Sequence, residues 1–336
     1  MVMLRLTAEQ FRKLPILANE STCAGKTYII TGGNSGLGFE TAKHLVEFSA
    51  ACVVLGVRNM AAGEKAKIDI EKSTGRKNVV QVWHIDMASH KSVRAFADRA
   101  STDLLRIDGL VANAGIMIDQ WTTAEGMERS VTVNVINTIL LGILMLPKLS
   151  ESSRAYGIDS TIVFIVSVLG YTVKGELDKF RTGSILDGVN DQKRADMDAR
   201  YPLTKLLEEF AAREFAVRCP FEQTGVVVTM VAPGLCSTPL GADVRSFTKA
   251  AHTAIKGFMA RTPEVGSRTI LHGLVAGRAS HGKLCSGCQI KEFWVPKWVV
   301  DEEGKKFQQR FWLELTERLE VSQPGAVSRA INSVAS

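Results

Sequence analysis

Cysteine is scarce in this chain of 336 residues, and its six cysteines do not make the framework of a disulfide-rich secreted protein. Cys285 and Cys288 have the spacing of half a zinc site, but no second CxxC or histidine pair accompanies them, so we predict no bound metal. This cysteine usage favours a reducing, cytoplasmic setting.

Long apolar runs are also missing. The first 19 residues mix charged and apolar side chains and lack the unbroken apolar core of a signal peptide. The most apolar stretch, residues 135–146, contains Asn137 and Thr138 and is shorter than the roughly 20 residues that span a bilayer. We therefore expect a buried helix there and no membrane span.

The chain has no Pro/Gly/Ser-rich linker, no repeat and no basic cluster. Lys and Arg total 41 against 35 acidic residues, and the net charge of +6 is spread along the chain. These features argue against a nucleic-acid partner and favour a single compact domain that acts on a small-molecule substrate.

Short β-rich runs alternate with segments of helical periodicity, which predicts an α/β fold: one Rossmann-like, doubly wound parallel sheet with helices on both faces. In such sheets ligands bind beyond the carboxyl ends of the strands, where strand order reverses. The predicted strands are 27–31, 51–56, 79–85, 109–112, 161–166 and 226–232, and the predicted helices lie near 37–48, 61–74, 89–105, 124–149 and 203–218.

The predicted sheet domain, residues 24–295, has an extension at each end. Residues 1–23 form an N-terminal extension. Residues 296–336 form a helical C-terminal extension, in which Phe307, Phe311, Leu315 and Leu319 recur at helical spacing. That apolar face predicts a helix that packs on the domain or joins copies in a homo-oligomer.

A glycine-rich turn follows the first predicted strand. Three glycines of its TGxxxGxG pattern would let backbone amides approach a pyrophosphate at the N-terminus of the following helix. Tight chain reversal also uses glycine, but the position between strand and helix favours a dinucleotide site. The turn reads Thr31-Gly32-Gly33-Asn34-Ser35-Gly36-Leu37-Gly38.

No acidic residue follows the second strand, where an NAD enzyme usually binds the ribose 2′-hydroxyl. Arg58 and Asn59 stand there instead, and the first acid is Glu64. A guanidinium can pair with a 2′-phosphate, so the sequence favours NADP(H), although Arg58 could also be a solvated surface residue.

Small and polar residues follow the third and fourth strands. Asp86 could accept a hydrogen bond from the adenine amine, and Asn113-Ala114-Gly115 would let a strand end lie against the cofactor. Both could equally be turn formers.

Ser167 follows the fifth strand, and Tyr201 and Lys205 come 34 and 38 positions later. Residues four apart share a helix face, so the Lys205 ammonium could stabilise the Tyr201 phenolate and lower the pKa of a phenol that exchanges protons with substrate. Pro202 restricts this geometry and suits only the first turn of a helix.

In this order, these motifs resemble the short-chain dehydrogenase/reductase family over about residues 24–290. Further matching residues are Asn134 within Val133-Asn134-Val135, and Pro233-Gly234 followed by Thr238. The resemblance implies that Tyr201 is the general acid/base, that Lys205 tunes it and holds the nicotinamide ribose, and that Ser167 binds the substrate oxygen. It also implies that Asn134 anchors a relay water and that Thr238 meets the carboxamide.

The C-terminal pattern is similar to the branch with retinol-dehydrogenase-like and fungal secondary-metabolite reductases. Residues 168–200 are long and charged for the family, so we expect an elaborated substrate loop there. Candidate apolar contacts to the substrate are Tyr171, Phe180, Phe247 and Phe258.

The expected function is therefore NADP(H)-dependent hydride transfer to or from a carbonyl or alcohol carbon of a bulky, largely apolar molecule. Two alternatives stay open at this stage. The same fold could use NADP(H) for double-bond reduction or a non-redox step, or it could sense the cofactor without catalysis.

Overall fold

Eight strands form the central sheet of the computed structural model, which describes residues 9–242, 244, 259–322 and 324–335. The strands are β1 (Thr27–Thr31), β2 (Cys52–Val57), β3 (Val80–His84), β4 (Gly109–Ala112), β5 (Ser160–Ile165), β6 (Val226–Ala232), β7 (Leu284–Ser286) and β8 (Gln289–Ile290). Their order is β8-β7-β6-β5-β4-β1-β2-β3; β8 is antiparallel to β7, and the other seven strands are parallel.

Helices cover both faces of this sheet, which confirms the predicted fold class. The helices are α1 (Gly36–Glu47), α2 (Met60–Thr74), α3 (His90–Asp103), α4 (Asn137–Tyr156), α5 (Arg200–Arg218), α6 (Pro263–Val275), α7 (Glu302–Ser322) and α8 (Ala326–Ala335). One face of the sheet packs on α1, α2 and α6, and the other on α3, α4 and α5, with α7 against α5 and α8 against α4.

Short elements connect these helices and strands. A two-stranded hairpin pairs Thr123–Ala124 with Met127–Glu128. The remaining helical turns are Glu20–Cys23, Arg129–Val131, the π-helix Thr132–Ile136, the 3₁₀ turn Val168–Thr172, Lys174–Asp178, Ile185–Val189, Phe221–Thr224, Arg278–Ser280, Glu292–Trp294 and Lys297–Val300.

The prediction of one helix over residues 124–149 is wrong at its start. Glu125 and Gly126 both have positive φ, 52° and 75°, and form the turn of the hairpin instead. Strands of two residues are too short to show alternation, and the apolar residues of the hairpin also fit helical spacing. The turn therefore cannot be recognised from the sequence pattern. The short strands β7 and β8, at one end of the sheet, were also missed.

The helical stretch Arg129–Tyr156 is long and apolar enough to cross a membrane by length and composition, but 89% of its most apolar window is buried inside the protein. It packs on β4, β5, α3 and α8. The prediction of a buried helix over residues 135–146 is therefore confirmed.

The four apolar residues of the predicted C-terminal helix all point inward in α7. Phe311, Leu315 and Leu319 are fully buried, and Phe307 packs against Phe210 of α5 with 5.4 Å between ring centres. This helix is thus part of the main core.

Candidate active site

The ends of β1 and β4, which are neighbours at the point where strand order reverses, are tied together by polar contacts. Thr31 Oγ1 accepts hydrogen bonds from the backbone N–H groups of Asn113 and Ala114, each at 3.0 Å. Asn113 Nδ2 donates to Thr31 O at 2.8 Å. A β-carbon at Gly38 would lie 2.7 Å from Asn113 Nδ2, so this close approach requires glycine.

The glycine turn leads into the N-terminus of α1, which has no side-chain cap from the described residues. Gly36 has a φ of +57°, and the N-cap residue, Ser35, makes no side-chain capping hydrogen bond. Thr238 lies against this turn, because its Cγ2 would be 3.2 Å from a β-carbon at Gly36. A positively polarised helix end that lacks a side-chain cap within the described part of the chain is a suitable anion site.

Of the predicted cofactor contacts after β2 and β3, Arg58 is free of hydrogen bonds to the described residues, whereas Asn59 and Asp86 accept hydrogen bonds from nearby backbone. Arg58 is exposed and makes no hydrogen bond within the described part of the chain, whereas Asn59 Oδ1 caps α2 by accepting from Ala62 N at 3.1 Å. Asp86 Oδ1 accepts from Ala88 N at 2.9 Å, so one carboxylate oxygen is used in a turn. Both of these side chains have structural roles, and their cofactor contacts stay predictions.

Tyr201 lies in the first turn of α5, one residue after the helix begins. Pro202 is compatible with this position because the first helical N–H groups have no intrahelical acceptor. Lys205 Nζ lies 6.0 Å from the centre of the Tyr201 ring. It donates to Ile165 O at 2.7 Å and to Glu208 Oε2 at 2.8 Å. The helix thus brings phenol and ammonium together at the carboxyl end of β5.

The pKa of the Tyr201 phenol shifts in the direction opposite to our expectation. Burial raises this pKa, Lys205 lowers it, and Glu208 raises it again, with a net upward shift. Desolvation opposes formation of the phenolate, and the Glu208 carboxylate offsets much of the charge on Lys205.

Ser167 lies two residues after the end of β5 and is partly exposed at the start of the 3₁₀ turn. Its Oγ accepts a long hydrogen bond, 3.3 Å, from Leu169 N. The hydroxyl hydrogen therefore remains available to an incoming acceptor.

Asn134 lies in the π-helix that precedes α4, and its side chain is fully buried and fully bonded. Oδ1 accepts from Ile116 N at 2.8 Å, and Nδ2 donates to Ile116 O and Thr204 Oγ1 at 2.9 and 3.0 Å. Gly115 lies between this side chain and Lys205, since a β-carbon on it would be 3.3 Å from Asn134 Oδ1 and 3.7 Å from Lys205 Nζ. Asn134 thus joins the end of β4 to the start of α5, and its role with a relay water stays a prediction.

The loop after β6 is fixed by hydrogen bonds from Gln10 of the N-terminal extension and from Arg261. Gln10 donates to Leu235 O at 2.6 Å and accepts from Leu235 N at 3.1 Å, while Arg261 donates to Pro233 O at 3.0 Å. Gly234 turns the chain with a φ of +84°. No local pattern indicates a role for Gln10, because its contact joins residues 225 positions apart.

Residues 168–200 contain several short helical turns, and the apolar side chains from Val173 to Val189 face the core. Phe180 is 4% exposed, and the Tyr171 hydroxyl donates to Glu209 Oε1 at 3.0 Å. These two candidate substrate contacts are therefore used internally, which corrects the expectation for them. The other two, Phe247 and Phe258, lie outside the described residues.

Comparison with known proteins agrees with this geometry. A model of the short chain dehydrogenase family matches residues 26–177. The chain is 40% identical to the short chain dehydrogenase/reductase dmxR8 of Cryptosporiopsis sp., covering 96% of this chain and 98% of that protein. It is 38% identical to the short-chain dehydrogenase anuD of Penicillium roqueforti, covering 90% and 79%. The chain belongs to the short-chain dehydrogenase/reductase family.

Solved structures of other short-chain dehydrogenases share the fold. One from Mycobacterium marinum has a TM-score of 0.57 at 20% identity, covering 81% of this chain and 96% of that one. Another, from Sphingobium yanoikuyae in complex with NADPH, has a TM-score of 0.56 at 18% identity, covering 78% and 87%. The short-chain dehydrogenase/reductase fold binds a nicotinamide cofactor.

The residues present fit such a cofactor. The uncapped N-terminus of α1 can receive the pyrophosphate, and the glycines leave its approach clear. Two of the three ammonium protons of Lys205 are bonded within the protein, which leaves one for the ribose. Among the described residues, no three His, Cys, Asp or Glu side chains cluster to hold a metal.

Helix α5 of this short-chain dehydrogenase/reductase carries a row of buried charges that was not predicted from the sequence. Glu208 and Glu209 are 1% and 0% exposed, and Arg213 is 7% exposed. Arg213 Nε donates to Glu209 Oε1 at 3.0 Å, and its Nη1 donates to Glu292 at 2.7 Å. The available signal was a pair of acids three and four positions after Lys205 in an otherwise apolar stretch.

Proposed function

We propose that this chain is an NADP(H)-dependent reductase, or the reverse dehydrogenase, that transfers a hydride between the nicotinamide and a carbonyl or alcohol carbon of a bulky, largely apolar organic molecule in secondary metabolism. The observation that carries the proposal is the position of the Lys205 ammonium, which lies near the Tyr201 ring and beside Gly115 at the carboxyl end of β5. A protein that only binds the cofactor has no chemical need for a phenol next to an ammonium.

Each residue then has a defined task. The bound nicotinamide supplies or accepts the hydride. The Tyr201 hydroxyl gives its proton to the carbonyl oxygen in reduction and takes it back in oxidation. The Ser167 hydroxyl donates a hydrogen bond to that oxygen, and Lys205 holds the ribose while its charge favours the phenolate.

The preference for NADP(H) rests on Arg58. This arginine is exposed directly after β2, and the neighbouring Asn59 carries no charge. A guanidinium binds a phosphate through charge-assisted hydrogen bonds, whereas a carboxylate at this place would repel it.

The substrate class is supported by apolar side chains around the catalytic edge. Val168 and Leu169 follow Ser167, and Leu169 remains 36% exposed. Met117 Sδ would be 3.3 Å from a β-carbon at Gly241, so it lies beside the segment that follows Thr238. Apolar walls with a few polar groups favour a bulky apolar ligand over a sugar.

The decisive experiment incubates the purified protein with NADPH deuterated at C4 of the nicotinamide and a panel of ketones, aldehydes and enones. We expect deuterium on the carbinol carbon of a bulky ketone or aldehyde product, detected by mass spectrometry. Deuterium on the carbon β to a retained carbonyl would indicate double-bond reduction instead. Tight NADPH binding without turnover of any panel member would favour a cofactor sensor.

A further inference from the structure

Lys205 has an acidic partner that the assigned site residues do not include. Glu208 follows it by three residues on α5, so both side chains lie on one side of the helix. Their side chains are 5% and 1% exposed, and Lys205 Nζ lies 2.8 Å from Glu208 Oε2. The two residues form a buried ion pair next to Tyr201, the proposed general acid/base.

The environment of Glu208 indicates that it serves this lysine. Its second carboxylate oxygen, Oε1, is buried and makes no hydrogen bond within the described part of the chain. An unsatisfied buried carboxylate oxygen is costly, so packing alone does not favour glutamate here. The Glu208 contact instead fixes Nζ from one side, while Ile165 O fixes it from another.

Electrostatics gives this pair a function. Burial alone lowers the pKa of the Lys205 ammonium, but the charges of Glu208 and Tyr201 outweigh burial and raise it above its ordinary value. Burial also raises the pKa of Glu208 to about 7, although Lys205 opposes that shift. The carboxylate therefore keeps the ammonium charged, and its negative charge opposes ionisation of Tyr201.

We propose that Glu208 is a positioning residue, which holds the Lys205 ammonium at the cofactor side and supplies the countercharge that controls when Tyr201 ionises. The proposal rests on the function proposed above for Tyr201. It assigns to Glu208 no contact with substrate or cofactor.

Other charged or titratable groups around α5 have partners of their own. Glu209 is bonded to Tyr171 of the 3₁₀ turn and to Arg213, which also pairs with Glu292 beyond β8. Arg200, at the start of the helix, faces Glu128. The Cys236 thiol, from the loop after β6, is the smallest of the influences that raise the pKa of Tyr201. Glu208 is thus the carboxylate bonded to Lys205.

Tyrosine labelling gives a test that needs no turnover. The chain has four tyrosines, so ¹³Cζ-tyrosine NMR should give four signals, and Tyr201→Phe identifies the one from Tyr201. In Glu208→Gln the amide oxygen can still accept from Lys205 Nζ, but the negative charge is gone. We expect the midpoint of Tyr201 ionisation to move to lower pH in this variant.

Glu214→Gln is the matched control, because Glu214 is also a buried glutamate of α5 and pairs with Arg218, away from Lys205. It should leave the Tyr201 midpoint in place. Glu208→Leu, which removes charge and hydrogen bond together, should raise the dissociation constant for NADPH by about tenfold or more, as Lys205 loses its position.

A Tyr201 midpoint in Glu208→Gln that stays where it is, or moves to higher pH, overturns the proposal. Should that variant fail to fold, the unmodified protein decides, since its Tyr201 signal should show a small additional step near neutral pH as Glu208 titrates. Absence of that step would also overturn the proposal. Because neither titration contains substrate, failure here is distinguishable from failure of the proposed reaction.

Discussion

Tyr201 is the residue whose chemistry is most directly testable, because a phenylalanine keeps its ring and removes only the hydroxyl. We expect Tyr201→Phe to lower turnover by at least about 10²-fold, the range of general acid–base catalysis, while NADPH still binds. Stopped-flow measurement of nicotinamide oxidation, beside fluorescence titration of NADPH, separates the two effects. Turnover within a few-fold of the parent would show that the proton comes from another group.

A second single-residue change, at Arg58, tests the preference for NADPH over NADH. We expect NADPH to bind at least about tenfold more tightly than NADH, a difference of about 1.4 kcal/mol, and Arg58→Asp to erase or invert that preference. Isothermal titration with both cofactors measures it. Arg154→Asp, an exposed charge reversal near the end of α4, is the control and should leave the ratio unchanged. Equal affinities of the unmodified protein for the two cofactors would contradict the assignment.

At the scale of elements, the start of α5 is fixed by a buried ion pair. Arg200 and Glu128 are 2% and 0% exposed, with 3.7 Å between Nε and Oε2. Glu128 also accepts from Ser130 N and Val131 N, and so caps the short helix before the π-helix of Asn134. The pair therefore sets the position of Tyr201 relative to Asn134.

Arg200→Met should lower the free energy of unfolding by about 3 kcal/mol, because it leaves the buried Glu128 carboxylate without its cation. Urea denaturation followed by circular dichroism measures the change. Lys305→Met removes an exposed pair with Glu302 and should leave stability nearly unchanged. If the two variants were equally stable, the Arg200 pair would have no structural role.

Residues 174–198, which lie within the expected substrate loop, contribute buried side chains to the core. Ile185 and Val189 are fully buried, and Glu314 of α7 accepts hydrogen bonds from the backbone of Ile185 and Leu186. Excision of this stretch would expose apolar core and should therefore destabilise the fold.

For the whole molecule, α7 and α8 close the core on the face of the sheet that carries α4 and α5. Trp312 stacks on Phe215 with 5.9 Å between ring centres, and Phe311 is fully buried beside it. The helices that follow the last strand thus complete the packing of α5, which carries Tyr201 and Lys205.

Phe311→Ala should therefore lower the free energy of unfolding by about 3–5 kcal/mol, the usual range for deleting a buried aromatic ring. Leu313→Ala, on the exposed side of the same helix, should change it by less than about 0.5 kcal/mol. Chemical denaturation compares the two variants. A small effect at Phe311 would mean that α7 is detachable from the core.

The amino-acid sequence by itself determined the alternation of strands and helices, the glycine turn before α1, the order of Ser167, Tyr201 and Lys205, and the absence of an acid after β2. These features depend on local spacing and residue type, which periodicity and turn chemistry express directly. The hairpin at residues 123–128 was not predicted, because strands of two residues are too short to show the alternation of apolar and polar residues.

Only the tertiary structure decided which side chains are buried and which distant groups they meet. Gln10 bonds to Leu235, Arg200 faces Glu128, and the pKa of Tyr201 rises although Lys205 is near. The free energy of an ionisable group depends on its desolvation and on charges brought to it by packing, and neither is a property of local sequence. For that reason the chain order identifies the phenol and the ammonium, while the fold places Glu208 against that ammonium and excludes water from both.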